Sequence, residues 1–173
     1  MKARTKRIVL PVFFVGLAAI LFLCTCENRP LMKDKVNVIV TPDFNFRFDS
    51  MKPGVIQHVD REYTYDYIPA ELENGLLFQG IHRPVKGTSI TIEIFRPATI
   101  YFFFQNTWDG GYSDIFSNLK EWEKCTDTPQ YDIHNGDHGL DMTMYKTKAK
   151  RGSYQIPATT RENACFNIVF QFN

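Results

Sequence analysis

Residues 132–141 read DIHNGDHGLD, so Asp132, His134, Asp137, His138 and Asp141 fall within ten positions. Imidazoles beside carboxylates suit Zn²⁺, and clustered carboxylate oxygens suit Ca²⁺. His134, Asp137 and His138 are therefore the metal candidates. The spacing of His134 and His138 would place both rings on one face of a helix, but Gly136 and Gly139 put the segment in a loop. There the same residues serve equally as a polar turn with local backbone bonds, and the chain as a whole is expected to need no cofactor. Residues 106–112 read NTWDGGY and offer a different chemistry. Trp108 and Tyr112 on a Gly-rich loop can stack on the apolar face of a pyranose, while Asn106 and Asp109 bond its hydroxyls. The plainer alternative folds Trp108 back onto the core. A third cluster is Asp60-Arg61-Glu62-Tyr63-Thr64-Tyr65-Asp66-Tyr67, in which Asp60 and Glu62 could form an acid/base pair only in opposed environments. It reads more simply as a strand edge with an ion pair at Arg61. No Ser-His-Asp spacing, phosphate loop, Cys/His zinc pattern or dinucleotide fingerprint is present.

The elements that must position these residues are strands. Of 173 residues, 14% are aromatic, with 15 Phe and 8 Tyr, a composition that favours strands. Val36 to Thr41, Asp43 to Ser50, Val55 to Val59, Leu76 to Ile81, Thr88 to Phe95, Thr99 to Gln105, Asp141 to Lys146, Gly152 to Ile156 and Ala164 to Phe172 alternate or run apolar between turn signals. The segment Glu62 to Ile68 is aromatic but irregular. This is the pattern of an all-β protein, an antiparallel β-sandwich or jelly roll of about eight or nine strands. One short helix is expected over Ser113 to Lys124, where Ile115, Leu119 and Trp122 share a face. In the last strand Phe166, Ile168, Phe170 and Phe172 face one side, and Cys165, Asn167, Val169 and Gln171 the other.

The N-terminus predicts export. Lys2, Arg4, Lys6 and Arg7 precede an uncharged run from Ile8 to Cys26. Its length as a helix, about 28 Å, is close to the hydrocarbon thickness of a bilayer. With no polar face and a basic flank, it reads as a signal peptide or signal anchor over 1–26, with a linker at 27–35 and the β domain at 36–173. The positive flank stays cytoplasmic, so the domain is expected on the extracytoplasmic side, membrane-anchored or secreted. An uncleaved anchor, cleavage near Cys26, and lipidation all fit. For the third, Leu23-Cys24-Thr25-Cys26 resembles a loose bacterial lipoprotein signal with Cys26 acylated, departing from it at Thr25.

Charge removes one class of function. The whole chain carries 20 Lys and Arg against 19 Asp and Glu, and four of the basic residues lie in the leader. The body is slightly acidic, so nucleic acid is not an expected partner. Cys125 and Cys165 are the two thiols of that body. In an oxidising compartment they are expected to pair, tying a loop of about 40 residues to the outer face of the sheet.

Three segments carry a resemblance. Asp60-Arg61-Glu62-Tyr63, then Ile68-Pro69-Ala70-Glu71-Leu72-Glu73-Asn74-Gly75, then Pro97-Ala98-Thr99-Ile100-Tyr101 follow a rhythm that resembles accessory β-sandwich domains of exported carbohydrate-active enzymes and sulfatases. The resemblance spans Val59 to Tyr101, about a quarter of the chain. It implies a galactose-binding-like or jelly-roll sandwich and a glycan ligand. Three functions follow. The first is a non-catalytic, membrane-tethered module that binds a glycan or a cell-surface protein. The second is an envelope assembly protein, presenting Tyr101 and Phe103 as an apolar patch to a partner. The third is a metal-dependent hydrolase centred on His134, Asp137 and His138.

Overall fold

The computed structural model describes residues 33–134 and 136–172. The segment read as a signal or anchor (1–26, with Cys26) and residues 27–32 of the expected linker lie outside the described residues. Among those described, no helix is long and apolar enough to cross a membrane.

The chain forms an all-β sandwich with antiparallel pairing throughout. In order, its strands are β1 (Val36–Thr41), β2 (Arg47–Ser50), β3 (Thr64–Tyr67), β4 (Leu76–Gln79), β5 (Ser89–Ile94) and β6 (Ala98–Gln105). After a short helix α1 (Tyr112–Ser117) come β7 (Glu123–Lys124), β8 (Gln130–Asp132), β9 (Leu140–Ala149), β10 (Gly152–Ile156) and β11 (Phe166–Phe172). A three-stranded sheet runs β1-β5-β10, and a larger one runs β2-β4-β11-β6-β9-β8-β3, with β7 also on the edge of β9.

Alternation explains the small sheet. Val36, Val38 and Val40 of β1 and Ile90, Ile92 and Ile94 of β5 turn inward, and Asn37, Thr41 and Glu93 turn out. These side chains meet the even-numbered face of the central strands: Ile100, Phe102 and Phe104 of β6 with Phe166, Ile168 and Phe170 of β11. Phe102 is the hub of this core. Its ring lies 4.7 Å from Tyr112, 4.7 Å from Phe116 and 5.2 Å from Phe166. Such ring pairs add about 0.5–1.5 kcal/mol each to the burial of their area.

The odd-numbered face of β6 and β11 is dry as well. Tyr101, Phe103 and Val169 are buried in a second core with Met51, Val55, Tyr65, Ile68, Leu72, Tyr131, Met142 and Met144. The apolar patch expected at Tyr101 and Phe103 therefore does not exist. The segment 51–72 covers it, and the large sheet curls over its own second face. Tyr65 of β3 lies four strand positions from β11, about 19 Å if the sheet were flat. Yet its hydroxyl donates to Asn167 Oδ1 at 2.7 Å.

Two other expectations are corrected here. Residues 55–59 make a single bridge, Ile56 to Thr64, because their backbone bonds turn back onto Tyr63 and Tyr65 rather than extending a ladder. The helix covers Tyr112–Ser117, not residues 113–124, and its buried pair is Tyr112 and Phe116, four residues apart. Trp122 still reaches the core, edge-on to Phe116 at 4.9 Å, but from the turn beyond the helix. From there the backbone passes directly into β7.

Cys125 and Cys165 are free thiols, both buried. The pairing fails on strand spacing. Cys165 stands beside Gln105 at the start of β11, and Cys125 stands beside Met144 on the far edge of β9. Strands β6 and β9 lie between them, whereas a disulfide needs Cα atoms within about 7 Å. Burial pushes the thiols up to about 11 and about 12 respectively.

Beneath the second core sit two buried histidines. The rings of His58 and His82 lie 5.1 Å apart and tilted by 60°, and none of their four ring nitrogens has a hydrogen-bond partner. Burial first, then neighbouring positive charge, lowers His58 to about 3 and His82 to about 4. Both are neutral in the folded protein near pH 7.

Three outcomes follow from this packing. Alkylation mapped by mass spectrometry should label Cys125 and Cys165 only after denaturation; a bridged 125–165 peptide from non-reduced protein would contradict the fold. Tyr65→Phe leaves the buried Asn167 oxygen without its donor and should cost about 1–3 kcal/mol in urea unfolding. Both histidines bind protons more readily unfolded, near 6.5, than folded. Stability should be full above about pH 6.5 and fall on the order of a few kcal/mol towards pH 4. His58→Phe should flatten that slope, and an unchanged slope would remove the buried pair as its cause.

Candidate functional site

The strand ends at one mouth of the curled sheet build a cleft of about 540 Å³. Tyr63 comes from the approach to β3, His82 and Arg83 from beyond β4, and Gln105 to Trp108 from the end of β6. Tyr131 lies in β8, Ile133 and Asp137 follow it, and Leu140 and Asp141 open β9. Strand ends around a closed or curled sheet are a usual place for small-molecule sites, because the sheet holds the walls while the loops vary.

The Trp108 wall is fixed by close packing. Gly110 and Gly111 have φ of 60° and 90°. A Cβ on Gly110 would lie 2.3 Å from that of Ala164, and one on Gly111 would lie 2.0 Å from Thr160 Oγ1. Only glycine satisfies both constraints. The backbone closes the same corner, with Cys165 N–H donating to the Trp108 carbonyl at 2.7 Å and Trp108 N–H to that of Gln105 at 3.2 Å. The indole stays 37% exposed at the cleft. The Arg83 guanidinium lies over it, 4.4 Å from the ring centroid.

The structure separates the four residues read from the 106–112 loop. Trp108 and Asn106 line the cleft. Asn106 Oδ1 also accepts the Thr143 hydroxyl at 2.7 Å. Asp109 serves the turn: its carboxylate accepts the Gly111 N–H at 2.9 Å. Burial works to raise that carboxyl, but bonds from Gly111 and Ser113 outweigh it and hold it below the usual range. Tyr112 is fully buried against Phe102 and Phe166, so its expected place at a ligand is overturned. Four residues before Phe116 on α1, it belongs to the core stripe, and that spacing was the available signal.

The metal candidates are also redistributed. Asp137 lines the cleft, and its carbonyl accepts the Ile133 N–H at 3.3 Å. His134 and His138 both turn to Asp132 Oδ2, at 3.4 Å and 2.8 Å. Among the described residues, the group whose ligand atoms lie within 4.8 Å of one another is Asp66, Asp132 and His138. Of the sequence-read trio, it contains His138 alone. The His134 N–H, 2.6 Å from the Asp132 carboxylate, is the leading cause that keeps this carboxyl low, with His138 and His134 adding to it. Asp66 also accepts the Gly139 N–H at 3.0 Å, which ties the 132–141 loop to β3. The group therefore has a structural role as it stands.

Sequence reading missed Tyr63, His82, Arg83, Gln105 and Tyr131. Tyr63 was read only as part of the Asp60 to Tyr67 edge, and the others sit in no motif, because the cleft is assembled from several strand ends.

No protein-family model matches the chain, and no curated protein matches it. A solved structure does resemble it: a β-glucuronidase from glycoside hydrolase family 2, with a TM-score of 0.59 and 16% identity, over 78% of this chain. The match spans only 14% of that protein. What the two share is the fold, an antiparallel β-sandwich.

Proposed function

We propose that this chain is an exported, membrane-tethered, non-catalytic β-sandwich module that binds a glycan in the cleft beside Trp108. The observation that carries the reading is the composition of the cleft. An exposed indole fixed by two glycines stands among side chains that donate and accept hydrogen bonds: Asn106, Gln105, Tyr63, Asp137 and Asp141. A sugar ring has an apolar face for the aromatic wall and a rim of hydroxyls for the polar one. The shared fold with part of a glycoside hydrolase supports the same reading, as does the rhythm of residues 60–101. Export and tethering rest on the leader alone. The assembly reading loses the patch it needed, since Tyr101 and Phe103 are buried.

A glycan array should show binding by the wild-type protein and at least a tenfold weaker signal for Trp108→Ala, about 1.4 kcal/mol or more. A folded protein that binds no glycan would reject the reading.

A further inference from the structure

Among the described residues, Arg83 is the one arginine that lines the cleft. Among the described residues it forms no ion pair with a carboxylate. The candidate nearest in sequence, Asp60, is committed elsewhere. Its Oδ1 accepts the His82 N–H at 2.8 Å, and its Oδ2 pairs with Arg61 at 3.4 Å. The guanidinium meets instead the Trp108 ring and the buried Cys165 thiol. A cation over an indole keeps most of its capacity for anions, since the ring face takes none of the N–H donors in the guanidinium plane.

A second observation comes from the residue before it. His82 also lines the cleft, is 3% exposed, and leaves both ring nitrogens without partners. Burying an unpaired donor is costly. The groups facing this ring are His58 at 5.1 Å and Tyr63 at 4.9 Å, with the charges of Arg83, Arg61 and Asp60 around it. Two guanidiniums against one carboxylate make this corner positive and disfavour a metal ion on the histidines. Asp137 and Asp141 enter the cleft from the β8–β9 side, and Asp141 already accepts the Gln130 amide at 2.8 Å. Those carboxylates suit the hydroxyls of a sugar, and the Arg83 corner suits an anion on it.

We propose that the ligand of this cleft is an acidic glycan, whose carboxylate or sulfate group binds Arg83 beside His82. The inference rests on the glycan-binding reading and narrows it.

The test uses the full chain in detergent, on an array pairing neutral oligosaccharides with uronate-containing and sulfated ones. Titration calorimetry at two salt concentrations follows with the best of each class. The expected result is binding of acidic glycans at least about tenfold tighter than neutral ones, weakened by salt as a charge contact must be. Arg83→Gln should abolish the preference and Arg83→Lys should keep part of it, which controls for misfolding of the first variant. In the complex, the His82 ring signal in NMR should titrate at higher pH than in the free protein, because an anion at Arg83 favours the charged imidazole. Whether the uronate or the sulfate set binds identifies the anionic group. Equal binding of neutral and acidic glycans, unchanged in Arg83→Gln, would overturn the acidic ligand and leave glycan binding standing. Binding of no glycan would overturn both.

Discussion

The hydrogen bond from the Tyr65 hydroxyl to Asn167 decides the shape of the larger sheet. Asn167 lies on β11 among Phe103, Val169 and Met144, where an amide has no access to water. Such a group must be paired on both its donor and acceptor sides. Its oxygen takes the Tyr65 hydroxyl, and its nitrogen donates to the Gln57 carbonyl at 2.6 Å. Each of these partners belongs to the chain that has curled back over the sheet. Gln57 in turn donates to the Thr64 carbonyl at 3.1 Å, and Gln79 bonds the Ile56 carbonyl while accepting Arg47 at 2.6 Å. A flat sheet would keep only the Phe78 carbonyl for Asn167 and the Arg47 bond for Gln79, and would leave the remaining amide sites unpaired in an apolar face. The polar network therefore specifies one curl, while the apolar side chains around it supply the burial that makes the curl favourable.

That curl is also what creates the cleft. Once the 54–57 segment pairs with 63–65, the following residues are carried to the mouth of the sheet, where Val59 N–H bonds the Gly80 carbonyl at 3.0 Å. His58 and His82 are thereby pressed together in a dry corner, with Tyr63 against the second ring. Arg83 leaves that corner one residue later and lies over Trp108. The core and the candidate site are continuous: the same closure that satisfies Asn167 orphans the imidazoles. A site that carries unsatisfied donors departs from the rule that the rest of the fold obeys, and such departures are where function is to be sought.

The sandwich was legible because alternation is a local signal. Val36 to Thr41 and Gly152 to Ile156 have the bounds read from the sequence, and the inward phenylalanines of β6 and β11 follow from period two. The second core was not legible. In β6 every residue but Thr99 is buried, and a run buried on both faces loses the alternation that would announce its cover. The cover itself, residues 51–72, makes few ladder bonds and therefore has no periodicity to read. Strands β7 and β8 are two and three residues long, too short for any pattern, and exist because the edge of β9 offers them partners. At the site, the 106–112 loop announced itself through Trp108 and two adjacent glycines. Its Tyr112 misled because a loop and the first turn of a helix share that stretch. Arg83 and His82 gave no signal, since what distinguishes them is the lack of a partner.

Trp108 as an isolated exposed aromatic would argue for stacking on any sugar. The structure makes it more specific than that. With the guanidinium over the ring, the ligand is left the remaining surface of the indole, and the Arg83 cation lies at its boundary. The glycines behind the loop prevent the ring from retreating, and the Cys165 N–H holds the carbonyl of the same residue. Aromatic wall and cation are thus fixed relative to one another before any ligand arrives, so binding loses little conformational freedom to ordering them. A ligand that used only the indole would leave the guanidinium to be desolvated without compensation, which costs free energy. One that also brings an anion to Arg83 avoids that penalty. The pairing of ring and charge, rather than the aromatic residue alone, is what gives this cleft a chemical preference.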